Sequence, residues 1–305
     1  MEQQVKEELN IDLKMTQNVS LNSVNDGSCS NSASQVYITF EDLPQNSQFV
    51  YELIDEVNEQ NKQKVFDIKG ELGNSNNWKA QFTAIDQLRA LNKFRSEDFI
   101  TKVFPKTFDF VIALIDSIRS NLSKNALLLV KEIFLVNKLS ALEPEAVPII
   151  LRKLFDKAIS DKMFLKQEAK NAILQMEKND EALFDCNLGG LSELCFDKNA
   201  SICELACQSL HNIIIQNKHN IDKLSVDAYN NLIATLSKCL EGKRALLKKL
   251  AKEMCQAIHQ QKGDNAFSSL SQPEQQQIIQ AISQPKNDSK PSFRDFLAQK
   301  KKDQI

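Results

Sequence analysis

Glycine and proline are scarce in this sequence, with 7 of each in 305 residues. So few turn-formers argue against a sandwich or barrel of many short strands, and the dominance of helix-forming residues points to an all-α chain. Charge of one sign is missing as well. Lys and Arg number 38 against 40 Asp and Glu, a net charge of −2. An anionic partner must therefore be met by a local patch and not by the whole surface. Long apolar runs are absent. Stretches such as Phe108-Asp-Phe-Val-Ile-Ala-Leu-Ile115 are far too short to span a bilayer, so no membrane partner is expected. The seven cysteines show no paired spacing, and the first residues, Met-Glu-Gln-Gln-Val-Lys-Glu-Glu, are acidic and unlike a secretory signal. Reduced thiols in the cytosol are expected.

Catalytic signatures are lacking too. Gly189-Gly190 is an isolated pair and not a phosphate loop, and none of the 3 His falls in a zincin pattern. Cys203, Cys207 and His211 stand at i, i+4, i+8 of one helix and could in principle ligate a metal, but no fourth ligand is suggested. Small residues packed in a repeat interface are the plainer reading. No nucleophile is paired with a base. The expectation is no cofactor, no metal site and no enzymatic activity.

What the sequence does have is a period. Residues 1–46 are rich in Asn, Ser, Gln and acids and read as a disordered tail, although Val36-Tyr-Ile-Thr-Phe40 is suited to a short contact. From residue 47 to 284 the pattern is helical, broken only by short polar loops, with Pro105, Pro144 and Pro148 near helix starts. Within it a small residue recurs on a helix: Ala84, Ala126, Ala169, Ala206 and Ala251, at spacings of 42, 43, 37 and 45 residues. Partner helices are expected at 49–68, 98–118, 144–159, 181–195 and 226–240. A repeat of about 40–47 residues with two helices per unit is the signature of a HEAT/armadillo-like α-solenoid, here of about five to six helix pairs. The small residue lets the second helix of each pair approach the first closely.

In such a solenoid the turns inside each pair line up along one edge. Here that edge would carry Trp78, Lys79, Arg119, Lys124, Lys162, Lys198, Lys243 and Arg244, with Lys248 and Lys249 one turn further in. The acids Asp161, Asp197 and Glu241 are outnumbered. A run of charge is often only a solvated face, but here the basic residues recur at equivalent positions of successive repeats. Trp78, the only Trp, follows the polar loop Gly73-Asn-Ser-Asn-Asn77 and opens an amphipathic helix bearing Ala84, Ile85, Leu88 and Leu91. It serves either as a core plug or as an aromatic presented to a partner. The Asn-rich turn and the adjacent Lys79 favour presentation.

A final helix over 273–282 would cap the array, and residues 285–305 follow as a linker and a short basic helix. Ser292 and Asp295 are placed nearly as a capping box, and Phe293, Phe296 and Leu297 share a face at i, i+3, i+4, ahead of Lys300-Lys-Lys. That pattern suits docking into a groove, either on a second protein or back on the last repeat.

The segment Trp78-Lys79-Ala80 at the first turn, ahead of an Ala/Leu-patterned helix, resembles the opening of TOG domains, the tubulin-binding HEAT arrays of microtubule polymerases, CLASP proteins and crescerin-type ciliary proteins. Ile118-Arg119-Ser120-Asn-Leu-Ser-Lys124 resembles the second repeat of the CLASP and crescerin forms, and Lys162–Met176 the third. The resemblance covers roughly residues 49–262. It departs at the fourth turn, where Ser201-Ile202-Cys203-Glu204 lacks an Arg, and in showing five clear repeats where six are usual. It implies a non-enzymatic tubulin or microtubule binder of the cytoplasmic cytoskeleton, with the cilium or axoneme as one setting. It also implies tubulin contacts at Trp78, Lys79, Arg119, Lys124, Lys198, Lys248 and Lys249, and the same turn edge adds Lys243 and Arg244. The competing reading is a general HEAT/armadillo scaffold that recruits a non-tubulin protein. Nucleic-acid binding is disfavoured by the net charge and the lack of interleaved aromatics.

Overall fold

The structure, a computed structural model, describes residues 37–44, 70–73, 77–183 and 185–283. The chain divides into two units, Met1–Tyr37 and Ile38–Ile305, and the helices belong to the second. They are α1 (Trp78–Phe94), α2 (Phe104–Ile115), α3 (Ser120–Val136), α4 (Ala146–Ala158), α5 (Met163–Glu177), α6 (Asp185–Leu194), α7 (Ala200–Gln216), α8 (Val226–Glu241), α9 (Ala245–Lys262) and α10 (Gln272–Ser283). No strand occurs among the described residues. The fold is the expected all-α solenoid. Even-numbered helices form one layer, with α4 on α6 and α6 on α8, and odd-numbered helices form the other, with α1 on α3, α3 on α5 and α7 on α9. Each odd helix from α3 onward also packs on the even helix before it.

The five recurring alanines explain how the layers close. Ala84, Ala126, Ala169, Ala206 and Ala251 are each the seventh residue of their odd-numbered helix, and all five have 0% exposure. A methyl group at that position brings two helix axes close together, while flanking Leu and Ile side chains interlock around it. In α3, which touches α1, α2 and α5, burial extends to Leu122, Leu127, Leu129, Val130, Ile133 and Phe134.

Some boundaries differ from expectation for identifiable reasons. The chain is helical from Ser96 to Ile115, but Phe99–Val103 is a π-turn, in which the Phe104 N–H bonds the Phe99 carbonyl five residues back. Pro105, which has no N–H to give, follows directly, so the wider turn falls where an α-helical bond is already lost. Helix α2 ends at Ile115 and not near 118. Helix α4 starts at Ala146 after Pro144, and α6 at Asp185 and not 181. The expected helix at 49–68 and the tail residues Phe293, Phe296 and Leu297 lie outside the described residues.

Polar side chains stitch the odd-numbered layer. Arg89, 1% exposed, uses every donor of its guanidinium. It makes a bidentate pair with Glu132 of α3, at 2.6 and 2.9 Å, and bonds Asp86, the Asn125 amide oxygen and the Ile38 carbonyl. Residues 38–44, ahead of the expected domain start at 47, are thereby tied to α1. Lys93 donates to the Glu41 carbonyl and lies over the Phe40 ring, and Leu43 is buried. Further along, Lys131 of α3 pairs with Glu168 of α5 at 2.8 Å, and His211 of α7 with Glu253 of α9 at 3.0 Å. His211 and Cys203 therefore point to other partners than a shared metal, since the Cys203 thiol donates to the Asp197 carbonyl. No group of His, Cys, Asp or Glu among the described residues is arranged to hold a metal ion.

Candidate functional site

The five odd-numbered helices begin at Trp78, Ser120, Met163, Ala200 and Ala245, in register through the buried alanine six residues on. Their starts define the edge formed by the intra-pair turns. Local capping sets two of them. The Asn77 side chain accepts from the Ala80 N–H at 3.1 Å, and the Asn199 side chain from the Ser201 N–H at 2.9 Å. At the other three, the N-cap residue is Arg119, Lys162 or Arg244, and none makes a side-chain cap bond. None of the five helices has an acid in its first turn. Both choices run against helix stability, because N-caps favour Asn, Asp, Ser and Thr, and the positive end of the helix dipole favours anions. Basic N-caps cost about 0.3–1 kcal/mol each by this electrostatic effect.

The edge is linked from one repeat to the next. Arg119 places its guanidinium 5.7 Å from the centre of the Trp78 ring, and the Lys162 ammonium donates to the Ser120 hydroxyl at 2.9 Å. Trp78 is half-buried, neither a full core plug nor a fully presented ring. Lys79, Arg119, Lys198, Lys243, Lys248 and Lys249 are exposed, while Lys124 and Arg244 are half-buried. Two acids at this edge are held by α4. Asp116 is bridged by Lys153 and Lys157, and Asp197 by Arg152. Burial pushes the Asp116 carboxyl up, but the two lysines outweigh it and hold it below the usual range. The Asn199 backbone N–H, with Arg152, does the same for Asp197.

Sequence reasoning missed an apolar component. Ile118 is 92% exposed and Met163 71% exposed, and Phe164 and Leu246 are exposed too. All four lie in the turns or the first two helix positions of this edge. No sequence signal set them apart from the core, since Phe164 and Leu246 stand directly before the buried Leu165 and Leu247.

Residues 65–289 match the family described as CLASP N terminal. That match spans more than two thirds of the chain. The chain belongs to the CLASP N-terminal family. Among solved structures, this CLASP N-terminal domain is similar to the MAST/Orbit N-terminal domain, at 13% identity over 77% of this chain and 94% of that one, with a TM-score of 0.40. It is also similar to a TOG domain of C. elegans Zyg9, at 13% identity over 75% of this chain and 88% of that one, with a TM-score of 0.47. A third similarity is to crescerin, which uses a TOG domain array to regulate microtubules in the primary cilium. There the identity is 14%, over 80% of this chain and 91% of that one, with a TM-score of 0.39. No curated protein matches the sequence. The TOG-like, HEAT-repeat character of the CLASP N-terminal domain follows from the family and from the paired layers described above.

Proposed function

We propose that this CLASP N-terminal domain binds tubulin through the edge of aligned intra-pair turns, as a non-enzymatic component of the cytoskeleton. The observation that carries the reading is the electrostatics of the five helix starts. Each lacks an acid in its first turn, and three have a basic N-cap. This arrangement costs local stability, and locally unfavourable choices concentrate where a surface serves a partner. Tubulin supplies an acidic surface, which such an edge steers and orients. The half-buried Trp78, with exposed Ile118 and Met163, gives the same edge an apolar anchor of the kind that dominates binding energy. Lys79, Arg119, Lys124, Lys198, Lys243, Arg244, Lys248 and Lys249 are its basic complement. Family membership supports tubulin as the partner.

The test is co-fractionation of the full chain with soluble tubulin, run beside co-sedimentation with microtubules. Parent protein is compared with Trp78→Ala and with Lys248→Glu plus Lys249→Glu. Binding lost in both folded variants supports the edge. Tubulin binding that survives in both moves the interface elsewhere, and no binding by the parent favours a scaffold for another protein.

A further inference from the structure

A second surface lies on the even-numbered layer, away from the turn edge. Phe104, Pro105 and Phe108 at the start of α2 face Ile149 of α4 across a groove of about 170 Å³. Its rim carries Glu143 and Glu145, and its lining holds no cation. Pro105 and Ile149 are exposed, and Phe108 is half-buried, so the groove is open to solvent. Phe104 is fully buried beneath it and stacks edge-on against Phe108 at 5.7 Å, which makes the floor firm.

We infer that this groove receives the C-terminal segment of the same chain, residues 292–302. The sequence of that segment supplies the complementary chemistry. Phe293, Phe296 and Leu297 are spaced i, i+3, i+4, which would set them on one face of a helix formed on docking, and Arg294 and Lys300, Lys301 and Lys302 bring the positive charge that Glu143 and Glu145 attract. The tether is long enough. From Ser283, where α10 ends, to Phe293 there are ten Cα–Cα steps, about 33–36 Å when extended. The path crosses α8 and α6 to α4, three interhelix steps of about 8–10 Å each, about 24–30 Å in all. Pro285 and Pro291 stiffen the linker, and a short tether keeps the segment at an effective concentration in the millimolar range.

The experiment is zero-length carbodiimide coupling of the full-length chain at low concentration, followed by peptide mapping. It joins a carboxylate to an amine only where the two touch. The expected result is an amide between Glu143 or Glu145 and one of Lys300, Lys301 and Lys302, formed in the monomer. Its yield should fall about tenfold or more in Phe293→Asp plus Phe296→Asp, and equally in Ile149→Asp, since each removes an apolar contact of the docked segment. The tail variant alters no residue of the helices, and Ile149 is exposed, so both remain folded. Three outcomes overturn the inference: no such link in the parent, a link found only in a covalent dimer, which assigns the groove to a second copy, or a yield unchanged in both variants, which marks random collision.

Discussion

Arg119 sits over the ring of Trp78 at 5.7 Å, one repeat reaching back to cover the aromatic of the one before. The pair holds the indole half-buried, which separates two outcomes for this only Trp. Trp78→Ala should cost less than the roughly 3–5 kcal/mol of a fully buried large-to-small change, nearer about 1–2 kcal/mol. Arg119→Ala should cost about 0.5–1 kcal/mol, the range of an exposed cation–π contact. With a single indole, fluorescence reads this site alone. Arg119→Ala should raise acrylamide quenching, and added tubulin should protect the parent. Quenching that is the same in parent and variant would show that Arg119 does not cover the ring.

The buried alanines set a second expectation. Ala169 and Ala206 have no exposed surface, and each lies in an odd-numbered helix that packs on the even helix before it. Leu at either site should overpack the contact and lower stability by about 1–3 kcal/mol, read by thermal or urea unfolding. Substitution that leaves the midpoint unchanged would mean the helices are free to separate there.

Those alanines were legible in the sequence because closeness of helices demands a small residue at a fixed place, and five copies made the place visible. The turn edge was legible for the same reason. The Arg89 cluster was not: Glu132 lies one repeat on, 43 residues away, but only the structure shows that this pair is buried and joined by Asn125 and the Ile38 carbonyl, 36 and 51 residues away. Ile118 and Met163 were hidden differently. An apolar residue beside a helix start reads as core, and only the structure shows that no neighbour covers it. Pro105 marks where the π-turn falls, but in the sequence it reads only as a proline near a helix start and not as a widened turn.

Arg89 and Glu132 are each 1% exposed, and burial pushes the Glu132 carboxyl up against the pull of Arg89. Removing one partner leaves a buried charge. Arg89→Ala should therefore destabilise by about 3–5 kcal/mol, while Arg89→Met with Glu132→Leu should recover most of that loss. A double variant no more stable than the single would argue that the Ile38 and Asn125 bonds, and not the ion pair, matter most.

Glu177 gives a pH dependence. It is buried between α5 and α7, where the Ser209 hydroxyl and the Asn212 amide donate to it at its two oxygens. Burial raises its pKa above 4.5 despite those bonds. The folded state then holds the proton more tightly than the unfolded chain. Its contribution is most favourable below pH 4.5, falls as pH rises toward the folded value, and is constant above it. Glu177→Gln should remove that slope, so the stability difference between variant and parent should grow with pH across the window and then level off. A difference independent of pH would show that Glu177 titrates alike in both states.

The basic N-caps permit a test in which stability and binding move in opposite directions. Arg244 has the extended backbone of an N-cap, with φ −85° and ψ 116°, but no capping bond. Arg244→Asp should supply that bond and an anion at the positive end of α9, raising stability by about 0.5–2 kcal/mol. Lys248→Glu with Lys249→Glu, both exposed and near the same end, should change stability by less than about 0.5 kcal/mol. If the edge meets an acidic tubulin surface, all three changes weaken binding, and parent binding falls as salt is added. Greater stability with weaker binding is an outcome that partial unfolding cannot imitate, so it would tie the arrangement of the helix starts to the partner. Stability and affinity rising together in Arg244→Asp would place tubulin away from this end of the edge.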